Sequence, residues 1–233
     1  MADPMNPNLE ILYTAVHRLG PLADAMVFLG GCATGLLLTD TAAAPVRATM
    51  DVDAIVEVAS LPEYHKLAVK LRARGFVEDL SSEAPICRWK ADNVILDVMP
   101  TDPEIMGFGN EWYAPAFAAA ESVSLPSGKR IRMVPAPYFL ATKLAAFDDR
   151  GGEDILLSRD MEDIVAVLDG RLEVVEEVNK SEKRLRIHLA QRFTILLQDQ
   201  RFNDALPGYL PPDAASQNRL PALLERIRAI SEF

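Results

Sequence analysis

A chain of 233 residues, 49% hydrophobic and 25% charged, is sized for one large domain or two modest ones with a true core. A formal net charge of −10 and a pI near 4.8 argue against a general nucleic-acid coat, because phosphate binding rests on Lys and Arg. No apolar run has the length of a membrane span, and two cysteines (Cys32 and Cys87) with three scattered histidines make neither a disulfide framework nor a metal-ligand spacing.

The opening "MADPMNPNLE" has neither the basic nor the apolar region of a signal peptide, and two lone thiols suit a reducing compartment, so a cytoplasmic protein is expected. Asn6 is placed to cap a helix through "PNLEILYTAVHRL", which stops at Gly20. "AMVFLG" reads as a short apolar strand, "GCATGLLLT" as a helix starting at the glycines, and "TAAAPVRA" as a loop. "MDVDAIVEV" is a strand rich in β-branched residues, and "LPEYHKLAVKLRARG" a helix ending at Gly75. Three strand candidates follow, "FVEDL", "ICRWK" and "NVILDVM", then a loop, "PTDPEIMGFGNEWYAPAF". "SVSLPSGKRIRMV" predicts a hairpin around Pro-Ser-Gly. Beyond Val134 the pattern is helical throughout. The expected organisation is an α+β or α/β part over residues 1–134 and a helical part over 135–233. Within the latter, "KSEKRLRIHLAQR" puts Lys183, Arg184, Arg186 and Arg192 on one helix, either a solvated face or a local basic patch.

Asp51 and Asp53 stand one residue apart inside a strand pattern. Residues i and i+2 of a strand share a face, so the two carboxylates lie side by side and repel. A divalent cation removes that repulsion, and Mg²⁺ takes one or two carboxylates together with substrate phosphates. The alternative is a strand end leaving for solvent. Gly30 and Gly31 stand between an apolar strand and a helix start, where bare backbone and N–H groups suit a phosphate; a plain tight turn is the alternative. Asp97, flanked by Ile95, Leu96, Val98 and Met99, is costly to bury without a partner or cation. If its strand lies beside that of Asp51, three carboxylates can hold two metal ions for an in-line displacement.

"LGGCATGLLL…RATMDVDAIVEV" resembles the nucleotidyltransferase superfamily with the polymerase-beta-like core. That superfamily carries Gly-Gly or Gly-Ser, a helix, Asp-x-Asp or Asp-x-Glu on a strand, and a third acid on a later strand. The run Arg47, Thr49, Asp51, Asp53 is closest to the branch of AbiEii-type toxins of type IV toxin–antitoxin systems. So are Lys143 and Arg150 of "TKLAAFDDR", and Arg159, Asp160 and Asp163 of "SRDMEDI". The resemblance covers roughly Phe28 to Leu168. It departs at Cys32, where Ser or Thr often follows the glycines, and in a longer loop from Asp40 to Arg47.

The resemblance implies an α+β fold, a nucleotidyltransferase-like mixed sheet flanked by helices with a helical C-terminal part that completes the active site. It implies Mg²⁺-dependent transfer of a nucleoside monophosphate from an NTP to an acceptor hydroxyl. Asp51 and Asp53 would hold the metal, with Asp97 as third ligand and base on the acceptor. Gly30, Gly31, Arg47 and Thr49 would serve the nucleotide. Lys143 would meet the triphosphate, positioned by Asp160 or Asp163. The acceptor would be tRNA, with an antitoxin protein as partner. The alternatives are a small-molecule enzyme of the aminoglycoside-modifying kind and a non-catalytic nucleotide-binding regulator. Apart from the resemblance, the loop with Gly107, Gly109 and Trp112 is a candidate border of the nucleotide that nothing in the sequence requires.

Overall fold

The computed structural model describes residues 6–151 and 154–233; the first five residues of the stretch read for a leader lie outside them. The chain groups into two units, Met1–Gly35 with Arg47–Pro135, and Leu36–Val46 with Ala136–Phe233.

The first unit opens with helix α1 (Pro7–Leu19), where the Asn6 side chain accepts from Asn8 N at 3.0 Å and Pro7 takes the first turn. Strand β1 (Met26–Leu29) leads through Gly30 into helix α2 (Gly31–Leu37). Strand β2 (Asp51–Val56), helix α3 (Leu61–Ala73) and strands β3 (Val77–Glu78), β4 (Arg88–Ala91) and β5 (Val94–Pro100) follow. Helix α4 (Tyr113–Ala118) precedes the hairpin of β6 (Glu121–Ser124) and β7 (Arg130–Met133). These form one seven-stranded sheet in the order β3-β4-β5-β2-β1-β7-β6. It is mixed: β2 runs parallel to β5 and β1 to β7, and the other neighbours are antiparallel. Parallel pairing of β2 with β5 needs the crossover that α3 begins. Val27, Phe28, Val52, Ala54, Leu96 and Val98 are fully buried, which makes β1, β2 and β5 the centre of the core.

Two local expectations are corrected. "FVEDL" pairs only over Val77–Glu78, because the Asp79 side chain accepts from the Ser81 N–H and hydroxyl and turns the chain. The expected loop after β5 contains a 3-10 turn, capped by Asp102, and α4. Trp112 is buried in the core rather than open to a ligand.

The second unit is helical: α5 (Ala136–Asp149), α6 (Arg159–Gly170), α7 (Val174–Lys180), α8 (Lys183–Gln198), α9 (Gln200–Ala205), α10 (Ala214–Gln217) and α11 (Leu220–Ser231). Helix α5 packs along α6 and α8, and α8 along α11, over buried Phe139, Leu144, Leu189, Phe193 and Ile227. The segment Leu36–Val46 joins this unit because the Thr39 and Asp40 N–H groups both donate to Gly170 O at 2.9 Å. Arg219 then ties Asp40 (2.7 Å) to Asp169 (2.9 Å). Among the described residues no helix is long and apolar enough to cross a membrane.

Candidate active site

Strand β2 shows why aspartates can stand in a buried element. Val52 and Ala54 are sealed in the core, while Asp51 and Asp53 lie half-exposed on the opposite face. Register sets their neighbours: Asp53 stands beside Leu29 of β1 on one side and Asp97 of β5 on the other. Leu29 is followed by Gly30, whose φ is +77°. A Cβ on Gly30 would lie 1.9 Å from Asp53 Oδ2 and 2.7 Å from its Cγ. The Asp53 carboxylate therefore rests on bare backbone, and the two motif halves meet at this point.

Asp97 is not alone in its apolar strand. Arg88, its register partner on β4, donates Nε to Asp97 Oδ1 at 2.8 Å and Nη2 to Oδ2 at 2.7 Å. The same Nη2 lies 3.3 Å from Asp51 Oδ2. This two-pronged geometry is the strong form of a guanidinium–carboxylate pair. The hydrogen bond to Asp97 is the main reason that Arg88 holds its proton even more tightly than usual.

The approach to β2 is held by α1. The fully buried Asn8 side chain donates Nδ2 to Arg47 O at 2.8 Å and accepts from Thr49 N at 2.9 Å. Thr49 in turn donates its hydroxyl to Asp51 Oδ1 at 2.6 Å. Cys32, where a hydroxyl residue is usual, turns its thiol inward to Asn8 O at 2.9 Å. Burial, then the charges of Asp53 and Asp51, push its pKa up. Both cysteines are free and buried.

Mg²⁺ needs one or two carboxylates and completes its shell from phosphates and water. The neighbouring Asp51 and Asp53, half-exposed and fixed by Thr49 and Gly30, fit that requirement. Among the described residues no three His, Cys, Asp or Glu side chains converge on one ion position. A recess of about 250 Å³ lined by Tyr13, Val16, His17, Gly20, Ser127 and Lys129 contains none of these carboxylates.

The residues expected from the helical part form their own cluster. Lys143 on α5 lies 3.1 Å from Asp160 Oδ1 and 2.7 Å from Asp163 Oδ2, both on α6. Its side chain is 12% exposed, and those of Asp160 and Asp163 are 4% and 2% exposed. Arg150 also pairs with Asp160. Ser158 caps α6 through Met161 N. On α8, Arg186 donates to the carbonyls of Asn179 and Ser181, and Arg192 pairs with Asp148 at 2.6 Å. The basic stretch is thus partly consumed within its own unit.

Arg88 and Asn8 were not singled out from the sequence. The signal for Arg88 was present: β4 and β5 are joined by a two-residue turn, Asp92-Asn93, with Asp92 at φ +51°. Counting outward from that turn sets Arg88 opposite Asp97.

No family model matches the chain, and no curated protein matches it. Among solved structures it is similar to the crystal structure of an antigenic nucleotidyltransferase-like protein from Paracoccidioides brasiliensis, with a TM-score of 0.50 and 17% identity over 87% of this chain and 93% of that one. At that identity the likeness is one of architecture: the chain has an α+β, nucleotidyltransferase-like fold, with a mixed sheet flanked by helices.

Proposed function

We propose that the chain is a Mg²⁺-dependent nucleotidyltransferase. An acceptor oxygen bonds to the α-phosphorus of an NTP as the bond to pyrophosphate breaks, and the hydroxyl proton is lost to solvent. The observation that carries this reading is the Asp51–Asp53 pair seated on Gly30 in a nucleotidyltransferase-like fold. Asp51 and Asp53 would hold the cation, which when bound supplies neutralising charge to the triphosphate. Asn8 and Thr49 keep Asp51 oriented, which is the kind of support a precise site needs. Gly30 lets the Asp53 carboxylate lie against bare backbone, the resemblance adds Gly30 and Gly31 as contacts to phosphate, and Arg47 braces the approach to β2 through its carbonyl bond to Asn8. The resemblance adds Lys143 as a contact to the triphosphate.

The AbiEii-type resemblance points to tRNA as acceptor, with a toxin role and an antitoxin partner. The acidity of the chain and the pairing of Arg186 and Arg192 favour a second reading, a small-molecule acceptor. Incubation with each labelled NTP, Mg²⁺ and fractionated cell extract distinguishes them. Label in the RNA fraction supports the toxin reading, and label in small metabolites supports the other. Absence of transfer from every NTP, with no difference between wild type and Asp51→Asn/Asp53→Asn, would overturn the enzyme.

A further inference from the structure

Arg88, Asp97, Asp53 and Leu29 form one row across β4, β5, β2 and β1, on the face that carries Asp51. The row places a permanent cation among three carboxylates. Three carboxylates carry three negative charges, and one guanidinium leaves two, the charge that a single divalent ion balances. Both Asp97 oxygens already accept from Arg88, at 2.8 and 2.7 Å. The Asp97 side chain is 9% exposed and that of Arg88 23%, so breaking the pair would strand charge where water reaches poorly. An arginine does not relieve that by losing its proton. By contrast, the longer contact of 3.3 Å to Asp51, whose side chain is 36% exposed, leaves Asp51 able to serve a metal. Among the described residues the hydrogen bonds of the Arg88 guanidinium run through Nε and Nη2.

We propose that Arg88 is a resident cation standing in for a second metal ion. The site then has one divalent-ion position, at Asp51 and Asp53, and Asp97 is a positioning residue for Arg88 rather than a metal ligand. This rests on the nucleotidyl-transfer reading, but its test counts ions and does not depend on turnover.

The experiment is a Mn²⁺ titration followed by electron paramagnetic resonance, on the full chain with and without a non-hydrolysable ATP analogue. The wild type is expected to bind one Mn²⁺. Asp53→Asn should lose it, and Asp97→Asn should keep it. Arg88→Met should gain a second Mn²⁺ that disappears again in Arg88→Met/Asp97→Asn. Two ions on the wild type, one of them lost in Asp97→Asn, would overturn the proposal and leave the enzyme reading standing. No ion on the wild type, with or without the analogue, would overturn both. The wild-type count decides even if Arg88→Met fails to fold.

Discussion

Asp53 Oδ2 occupies the space that a Cβ on Gly30 would need, 1.9 Å away. Gly30 also has φ +77°, where an L side chain is strained by about 1–2 kcal/mol. Gly30→Ala is therefore expected to lower the melting temperature and to displace Asp53, cutting transfer by at least about tenfold, the equivalent of about 1.4 kcal/mol. Gly31 opens α2 without a positive φ, so the backbone strain expected at Gly30 does not arise in Gly31→Ala. If Gly31 serves phosphate, that variant loses more NTP affinity than its change in melting temperature accounts for. Wild-type melting and turnover in Gly30→Ala would remove the close approach from the site.

Asn8 links α1 to the strand that carries the aspartates. Asn8→Ala deletes the acceptor for Thr49 N and the donor to Arg47 O in a fully buried position. Leaving those groups unsatisfied costs about 1–3 kcal/mol. Thr49 then loses the anchor that aims its hydroxyl at Asp51, so Mn²⁺ affinity should fall along with stability. Thr49→Val keeps the backbone bond to Asn8 and should weaken the cation with a smaller loss of melting temperature. Equal cation affinity in both variants and wild type would reduce Asn8 to a core residue.

What the sequence made legible follows periodicity and register. The Asp-x-Asp pair could be placed on one face because strand alternation has a period of two, and the burial of Val52 and Ala54 against half-exposed Asp51 and Asp53 follows that rule. The cap by Asn6 and the hairpin around Pro-Ser-Gly were legible from turn chemistry. Asn8 was hidden because its partners, Arg47 and Thr49, lie about forty residues away, and no local pattern announces a long-range backbone clamp. The grouping of Leu36–Val46 with the helices was hidden for the same reason: it depends on the Gly170 carbonyl and on Arg219. The pairing of Lys143 with Asp160 or Asp163 came from the resemblance rather than from any local pattern, and both carboxylates, a turn apart on α6, enclose the lysine.

Cys87 offers a pH test. Burial, then the charge of Asp97, raises its pKa from 9.0 to about 12. The folded state therefore holds the thiol proton more tightly than the unfolded chain. Its stabilising effect is complete below pH 9.0 and is lost progressively as pH rises toward about 12. Cys87→Ala should melt with a shallower decline from pH 8 to about 10.5 than wild type, and native Cys87 should resist a thiol reagent near pH 8 until the chain is unfolded. Parallel declines in the two proteins, or rapid native labelling, would contradict the burial.

Lys143 tests the helical cluster and its expected role together. Removing the lysine leaves Asp160 with Arg150, and strips Asp163 of an ammonium at 2.7 Å in a position where the carboxylate is 2% exposed. Breaking a buried pair from one side typically costs about 3–5 kcal/mol, so Lys143→Met should melt well below wild type. Loss of turnover in that variant alone is ambiguous, since a loosened α5–α6 contact lowers activity too. Replacing the pair as a whole separates the roles. Lys143→Met/Asp160→Asn/Asp163→Asn removes both carboxylate charges together with the lysine, and well-matched neutral replacements of buried ion pairs are often neutral or stabilising. Recovery of melting temperature without recovery of NTP affinity assigns the ammonium to the triphosphate. Recovery of both assigns Lys143 to structure alone and withdraws it from the nucleotide. A single variant that melts like wild type would mean that the pairing with Asp160 and Asp163 does not hold the helices together in solution.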